Sequence, residues 1–227
     1  MAERNLSPPD EFDKELRRGA ADRGLALDGG ACALLGEYFR LVSAWNPRLH
    51  LVAPCTPAEF ASRHALESLA ALPYLAQGAS FVDVGSGAGL PALPCLVARP
   101  DLRATLVESS RRKAVFLREA ASALGLRGRM EVVAERFQGL APPAADALTC
   151  RAVERFTELV PSIASWASNV PTLLLFGGES LGESISRAGL AGEAVRLAGS
   201  EKRFLFVVSR ASQSAHESQA ALPVGKD

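Results

Sequence analysis

The segment FVDVGSGAGLP, residues 81–91, constrains the fold of this chain more than any other part of its sequence. A short apolar run that contains Asp83 leads into three alternating glycines, and a helical pattern begins directly after them. Glycines in such a loop let the backbone turn sharply and let a ligand approach main-chain N–H groups that a side chain would cover. The segment therefore predicts a strand, a ligand-binding loop and a helix, in that order.

From residue 80 onward, short runs of β-strand character alternate with helical patterns. Strands are predicted near residues 81–84, 104–108, 130–134, 146–150, 172–176 and 203–209. Helices are predicted near residues 90–99, 111–124, 154–168 and 179–191. This alternation is typical of an α/β fold, so we expect a Rossmann-like, mostly parallel, doubly wound sheet flanked by helices.

The first 75 residues have a different pattern, with apolar residues at three- and four-residue spacing and Pro or Gly breaks between the segments. This spacing predicts amphipathic helices. We therefore expect an N-terminal helical region, residues 1–75, that packs on an α/β domain at residues 76–210. Residues 211–227 are mostly small and polar, and we expect them to form a disordered tail.

Charge and cysteine content narrow the class of protein. Lysine and arginine together number 25, as do aspartate and glutamate, so a nucleic-acid partner has to bind a local basic patch. The four cysteines form no CxxC pair, and no His/Cys constellation predicts a metal site. No run approaches the roughly 18 apolar residues of a membrane span, and the chain opens without an apolar signal segment. These features predict a cytoplasmic protein with reduced thiols, no metal and no membrane contact.

The glycine loop is compatible with a dinucleotide or with S-adenosylmethionine. The dinucleotide fingerprint G-x-G-x-x-G, counted from Gly85, requires glycine at position 90, where the chain has Leu90. The form acid-x-G-x-G-x-G is instead typical of class I methyltransferases, in which the acid lies near the cationic amino-acid end of S-adenosylmethionine. Glu108, at the end of the second predicted strand, is placed to accept hydrogen bonds from both ribose hydroxyls. The plain alternatives are a tight turn without a ligand for the glycines and a solvated acid for Glu108.

Successive blocks of the sequence resemble one family. They are WNPRLHL, RHALES, VDVGSGAGLPALP, RPDL, LVESSRRKAVFLREA, AERF and CRAV, in an order and spacing that agree from about residue 35 to residue 180. These blocks resemble the GidB family, also called RsmG, the 16S ribosomal RNA guanine-N7 methyltransferases. The resemblance implies a class I methyltransferase sheet, S-adenosylmethionine as cofactor, and 16S ribosomal RNA or the small ribosomal subunit as substrate.

The resemblance also implies roles for individual residues. Cofactor contacts fall on Asp83, Gly85, Gly87, Leu90, Glu108, Phe137, Gln138 and Arg151. Glu108 would bind the ribose, and Phe137 and Gln138 would bind the adenine. Arg151, in CRAV at the end of the fourth predicted strand, would face the transferring methyl group as an orienting and electrostatic catalytic residue, with no general base. Its structural alternative is an ion pair with Asp83 or Glu108.

RNA contacts implied by the resemblance fall on Arg63, His64, Arg111, Arg112 and Lys113. The last three residues begin a predicted helix, for which a solvated helix face is the ordinary alternative. Arg63 and His64 share a helical turn with Glu67, and a carboxylate such as Glu67 or Asp83 near the pocket would favour the cationic methylated base. The alternative for this turn is a helix-capping or interdomain salt-bridge cluster.

Two departures from the family pattern bear on the substrate. Gly177 occupies the position of a customary lysine after the fifth strand, and HLV, with His50 and Val52, replaces the usual NLT. Two other classes therefore stay open. One is a class I methyltransferase that acts on another RNA, a protein or a small molecule, and the other is a non-catalytic module that binds S-adenosylmethionine.

Overall fold

The computed structural model describes residues 7–141, 143–151 and 155–210, and these residues form one seven-stranded sheet. Its strands are β1 (Ser80–Val84), β2 (Arg103–Val107), β3 (Met130–Val133), β4 (Ala147–Arg151), β5 (Thr172–Gly177), β6 (Glu193–Arg196) and β7 (Phe204–Ser209). They lie in the order β3-β2-β1-β4-β5-β7-β6. The first five are parallel to one another, and β7 is antiparallel to both β5 and β6. The predicted Rossmann-like α/β fold is confirmed.

The sequence prediction lacks β6 and makes the preceding helix too long. That helix ends at Arg187 rather than at residue 191, because Gly189 adopts a left-handed φ of 72° that ends the helix. β6 is only four residues long, lies at the edge of the sheet and exposes three of its side chains. Such a strand has no apolar alternation, so sequence periodicity does not reveal it.

Three helical segments precede the sheet. They are α1 (Pro8–Asp22), α2 (Gly29–Leu49) and a continuous segment over residues 57–74, which we call α3. α3 begins as one α-helical turn, widens into a π-helix over Phe60–Leu66 and ends as a 3-10 helix over Leu69–Tyr74. Its start is fixed by a capping box, in which the side chains of Thr56 and Glu59 each accept from the other's backbone N–H.

The remaining helices alternate with the strands and cover the sheet on both faces. They are α4 (Ala92–Ala98), α5 (Arg111–Ala123), α6 (Phe156–Trp166) and α7 (Glu179–Arg187), with a short 3-10 turn at Phe137–Gly139. One face of the sheet packs against α4 and α5, and the other packs against α6 and α7. The chain thus forms three layers, with the sheet in the middle.

The helices α1 to α3 share one hydrophobic core with α4, α5 and the sheet. Phe12, Tyr38 and Phe60 from these three segments are at most 2% exposed, and the rings of Phe12 and Phe39 stack with centroids 4.8 Å apart. This packing agrees with the expected helical region on the sheet. The domain boundaries at residues 75 and 210 stay predictions, and the predicted disordered tail, residues 211–227, lies outside the described residues.

The position of the site follows from the order of the strands. β1 lies between β2 and β4, so the strand order reverses between β1 and β4. Loops that leave the carboxyl ends of strands at such a point diverge to opposite faces of the sheet and leave a crevice between them. The glycine loop that follows β1 borders this crevice, at the place where the sequence predicted a ligand.

Candidate functional site

The three glycines after β1 all adopt left-handed backbone conformations, but their surroundings differ. The φ angles are 69° at Gly85, 54° at Gly87 and 86° at Gly89. A Cβ atom at Gly89 would lie 2.4 Å from Cδ1 of Leu93, so this glycine lets the loop pack closely on α4. A Cβ atom at Gly87 would meet no atom closer than the carbonyl oxygen of Gly85, at 3.7 Å. Gly87 therefore faces open space, in which a ligand can approach its backbone.

Two adjoining cavities run along the carboxyl ends of the parallel strands and share Gly85 and Ser109. We call the larger one, of about 760 Å³, the main cleft. Its lining includes the loop 50–54, His64, residues 85–88, Leu90, Glu108, Lys113 and Arg151. The smaller one, of about 480 Å³, is the side cleft, lined among others by Glu135, Arg136, Phe137, Gln138 and Leu159. The predicted cofactor residues other than Asp83 thus line one continuous groove.

Glu108 is not a solvated acid, because its carboxylate joins the glycine loop to the start of α5 through two hydrogen bonds, which we call the clamp. It is 6% exposed, and its Oε2 accepts from the backbone N–H of Gly87 at 2.8 Å. Its Oε1 accepts from the backbone N–H of Ser110, the residue that caps α5, at 2.7 Å. An ionised carboxylate has about four acceptor positions, so about two remain for a ligand in the main cleft. This arrangement fits a pair of ribose hydroxyls.

Asp83 is fully buried two residues before Gly85 and keeps an unused acceptor. Its Oδ1 accepts from Oγ1 of Thr149 at 2.6 Å, whereas its Oδ2 has no hydrogen-bond partner within the described part of the chain. Burial raises the pKa of this carboxyl to about 7, and the charge of Glu108 adds to the shift. A buried acceptor without a partner is costly, so Oδ2 has an acceptor position that a hydrogen-bond donor or a water molecule next to the loop could satisfy.

Arg151, at the end of β4, lines the main cleft and is held by α3. Its Nη2 donates to the carbonyl oxygen of Arg63 at 2.6 Å and to Oε2 of Glu67 at 3.2 Å, and its Nη1 donates to Oγ of Ser68 at 3.3 Å. The alternative of an ion pair with Asp83 or Glu108 is wrong, because the partner of Arg151 is Glu67. Burial lowers the pKa of the guanidinium, which nevertheless stays protonated in a protein.

Glu67 does not border the main cleft. Its side chain is 1% exposed and lies between Arg151 and Arg203, whose Nη2 donates to Oε1 of Glu67 at 2.7 Å. With both oxygens held by arginines, Glu67 has no free negative charge for a cationic methylated base, so the expectation is wrong for Glu67. The alternative reading of this turn, a salt-bridge cluster between the helical region and the sheet, is the one that the structure contains.

The neighbours Arg63 and His64 lie on different sides of the π-helix. His64 lines the main cleft, while Arg63 is half-exposed beside Glu59 and borders a separate polar pocket together with Arg203. Burial, followed by the charge of Arg151, lowers the pKa of His64 to about 4. His64 is therefore neutral at physiological pH and suits contact with a base or a sugar rather than with a phosphate.

The basic start of α5 forms one rim of the main cleft. Arg111 and Arg112 are exposed, and Lys113 is half-buried and lines the cleft. Nη2 of Arg112 donates to the carbonyl oxygen of Arg48 at the end of α2, at 3.3 Å. The sequence prediction missed Arg48 at this rim, because only the packing of α2 beside α5 brings the two segments together.

The loop 50–54 also lines the main cleft, and the sequence prediction missed it as well. The side-chain amide of Asn46 holds it, because Nδ2 donates to the carbonyl oxygen of Val52 at 3.1 Å and Oδ1 accepts from the backbone N–H of Val52 at 3.0 Å. The left-handed conformation of His50, with a φ of 49°, turns the chain out of α2 into this loop. A side chain that pairs with backbone six residues on has no spacing signal in the sequence.

Gly177, at the position of the expected lysine, is packed against α7. A Cβ atom there would lie 2.5 Å from Cδ2 of Leu181, so Leu181 fills the space in which a side chain would begin. Among the described residues, the cations that line the main cleft are Arg151 and Lys113. The same part of the chain contains no cluster of metal-ligating side chains and no helix long and apolar enough to cross a membrane.

Comparison with known proteins identifies similar sequences over most of the chain. Residues 31–217 match the family model GidB, described as rRNA small subunit methyltransferase G. The ribosomal RNA small subunit methyltransferase G of Sorangium cellulosum (strain So ce56) is 38% identical over 190 residues, which are 81% of this chain and 77% of the relative. The protein of the same name from Anaeromyxobacter dehalogenans (strain 2CP-C) is 36% identical over 192 residues, 83% of this chain and 88% of the relative.

Solved structures with low sequence identity share the fold. An O-methyltransferase from Bacillus cereus in complex with SAH has a TM-score of 0.58 and 16% identity, over 85% of this chain and 96% of that one. The M1A22 tRNA methyltransferase TrmK from B. subtilis has a TM-score of 0.52 and 15% identity, over 70% and 71% of the two chains. At this identity the likeness concerns the fold alone, and it agrees with the predicted methyltransferase sheet.

Proposed function

This chain belongs to the GidB family of small-subunit ribosomal RNA methyltransferases, and we propose that it transfers the methyl group of S-adenosylmethionine to N7 of a guanine in 16S ribosomal RNA. The observation that carries the proposal is the glycine loop, whose Gly87 donates to Glu108 in the lining of a cleft that Arg151 also lines. We place the reaction in the cytoplasm, on ribosomal RNA or on the small ribosomal subunit.

The groove offers a partner for each part of S-adenosylmethionine, which supplies an electrophilic methyl group when bound. Glu108 would accept from the ribose hydroxyls, and Phe137 and Gln138 would hold the adenine in the side cleft. The backbone of Gly85 and Gly87 and the side chain of Leu90 would contact the middle of the cofactor. Asp83 lines neither cleft, so it would act on the cationic amino group at the other end from behind the loop rather than by direct contact. The fit rests on the φ angles of the glycines and on the two acceptor positions that remain on Glu108.

Methyl transfer to guanine N7 requires little acid–base chemistry from the protein. N7 carries a lone pair and no proton, so it can attack the methyl carbon directly and no general base is needed. The cleft agrees with this requirement, because Arg151 stays protonated and the low pKa of His64, about 4, makes its imidazole a weak proton acceptor. Catalysis then rests on alignment, which contributes up to roughly 7–11 kcal/mol in ideal cases. Arg151 would orient either the carboxylate of the cofactor or the O6 edge of the guanine.

The RNA would bind to the rim of the main cleft. Arg111, Arg112 and Lys113 present positive charge at the start of α5, and phosphates that approach them would meet guanidinium and ammonium donors, although one N–H of Arg112 already donates to the carbonyl oxygen of Arg48. Arg63 borders a separate pocket on the other side of α3, so it would contact only RNA that extends beyond this rim. His64 would contact the base or the sugar within the cleft. The chain has no net charge, so binding would depend on this local patch.

Tritiated methyl transfer tests the proposal. The protein is incubated with labelled S-adenosylmethionine and with small subunits, or free 16S ribosomal RNA, from a strain that lacks the gene, and the nucleosides are then identified by mass spectrometry. We expect N7-methylguanosine, and we expect no label on RNA from a strain that has the gene, because its target is already methylated. Detection of a different methylated nucleoside would contradict the assignment of guanine N7 as the target atom. Cofactor binding without any labelled RNA would favour the other substrate classes or the non-catalytic module.

A further inference from the structure

A nearly fully buried carboxylate joins three elements behind the main cleft. Glu67 of α3 lies between Arg151 at the end of β4 and Arg203, which directly precedes β7. The side chain of Glu67 is 1% exposed, that of Arg151 12% and that of Arg203 34%. Two cations and one carboxylate leave this cluster with one net positive charge, and Arg151 is its member on the cleft wall.

The orientation of Arg151 is determined by α3 rather than by its own strand. Within the described ranges, its guanidinium has three hydrogen-bond partners, all on α3: the carbonyl oxygen of Arg63, the carboxylate of Glu67 and the hydroxyl of Ser68. The guanidinium also lies over the ring of Phe176 on β5, 5.7 Å from its centroid. The hydrogen bonds use three of the five N–H donors of a guanidinium. The other two, on Nε and Nη1, have no partner within the described ranges and remain for a ligand in the cleft. A small rotation of the guanidinium would redirect both.

Arg203 in turn determines the orientation of Glu67. Its Nε and Nη2 both donate to Oε1, at 3.0 Å and 2.7 Å, so that Oε2 is the oxygen left for Arg151. The two arginines therefore do not compete for one oxygen. Without Arg203 the carboxylate would be free to rotate and to take both of its oxygens to Arg151, which would shift the guanidinium.

We propose that Glu67 is a positioning residue for methyl transfer: its buried carboxylate, oriented by Arg203, holds the guanidinium of Arg151 at the wall of the main cleft. The inference rests on the proposed function, since it assigns Arg151 to the reacting groups. It assigns Glu67 no contact with the RNA or with the cofactor. Glu67 acts through Arg151, so the replacement of Glu67 lowers the rate of methyl transfer only to the extent that Arg151 contributes to that rate.

A double-mutant cycle on the full-length protein tests this dependence. We would compare Glu67→Gln in the wild-type background and in the Arg151→Lys background, by the rate of methyl transfer to small subunits at saturating S-adenosylmethionine, well below the melting temperature. We expect Glu67→Gln to lower kcat about tenfold or more in the wild type, because a displacement of about 1 Å can cost about 100-fold. In the Arg151→Lys background we expect a further loss of less than about threefold, because the group that Glu67 positions is already gone.

Two further variants keep the test informative if Glu67→Gln does not fold. Arg203→Lys keeps the charge but loses the paired N–H donors, and we expect a smaller loss of kcat, about threefold to tenfold, that also vanishes in the Arg151→Lys background. Glu37→Gln removes the carboxylate of an exposed ion pair with Arg40 on α2 and serves as the matched control. We expect it to leave kcat and the melting temperature unchanged.

The outcomes separate this inference from the proposed function. Equal losses in both backgrounds would mean that Glu67 only stabilises the fold, and Glu67→Gln with at least half of the wild-type rate would mean that Arg151 needs no such support. Either result overturns the positioning role while the wild type remains active. If Glu67→Gln does not fold, the Arg203→Lys cycle decides in the same way. A wild-type protein that transfers no methyl group to the RNA would overturn the proposed function, and the positioning role with it.

Discussion

Replacement of Glu108 by glutamine tests both the clamp and the cofactor site. In the structure Glu108 accepts from two backbone N–H groups, those of Gly87 and Ser110. Glutamine keeps the shape and one acceptor oxygen, but its amide nitrogen must face one of these two donors. One backbone N–H group in the loop then loses its partner, and the acceptor for the ribose loses its charge.

The magnitude follows from these contacts. A hydrogen bond to a charged group contributes about 1.5–3 kcal/mol, so the loss of charge toward the ribose predicts about 10- to 150-fold weaker binding of S-adenosylhomocysteine. The unpaired N–H group costs about 1–3 kcal/mol of fold stability in addition. For a chain of this length each kcal/mol lowers the melting temperature by about 2–4 °C. The structure thus predicts losses in both binding and stability, whereas ribose contacts alone would affect only binding.

The assay is titration calorimetry with S-adenosylhomocysteine, combined with thermal unfolding of the free protein. Glu119→Gln is the matched control, because Glu119 is exposed on α5 and has no side-chain hydrogen bond or ion pair within the described residues. We expect the control to match the wild type in both measurements. An affinity within twofold of the wild type would refute the role of Glu108 at the ribose. An unchanged melting temperature would refute the clamp.

Three further predictions concern other residues of the groove. Gly87→Ala should weaken cofactor binding by more than tenfold in calorimetry, because its methyl group would enter the cleft. The control is Gly78→Ala, at a glycine with a φ of 72° and open surroundings, which should lose only about 1–2 kcal/mol of stability through backbone strain. Equal cofactor binding by the two variants would contradict this prediction. Arg151→Lys should lower the rate of methyl transfer about 10- to 100-fold in the tritium assay, with a melting temperature only a few degrees lower. A variant with the wild-type rate would show that the role of Arg151 is structural. The raised pKa of Asp83, about 7 against an ordinary 3.8, means that the folded protein holds a proton that the unfolded chain releases near pH 4. Its contribution to stability is therefore present at low pH and is lost as the pH rises from about 4 through 7. In urea unfolding from pH 5 to pH 8, the stability of the wild type should fall relative to that of Asp83→Asn; this comparison cancels the opposite pH dependence of His64, and parallel profiles would refute the shift.

The fold was accessible from the sequence because its signals are local. The glycines after β1 need left-handed φ angles that few other residues adopt, and the alternation of strand and helix patterns repeats along the chain. The same signals placed Gly85, Gly87 and Glu108 beside one another at the carboxyl ends of β1 and β2, because parallel strands end at the same edge of a sheet. β6 escaped prediction because it is short, exposed and at the edge of the sheet.

The tertiary structure alone decided how the charged residues pair. Arg151 and Glu67 are 84 positions apart in the chain, and Arg203 and Glu67 are 136 apart, so no local spacing links them. The sequence placed Glu67 at the cleft with Arg63 and His64, whereas of these three only His64 lines the main cleft, and Arg63 and Glu67 border a separate pocket. The low pKa of His64 and the high pKa of Asp83 likewise depend on burial and on neighbours from other elements. Residue types and their local order determined the sheet and the glycine loop, while electrostatic partners were decided only when packing brought distant segments into contact.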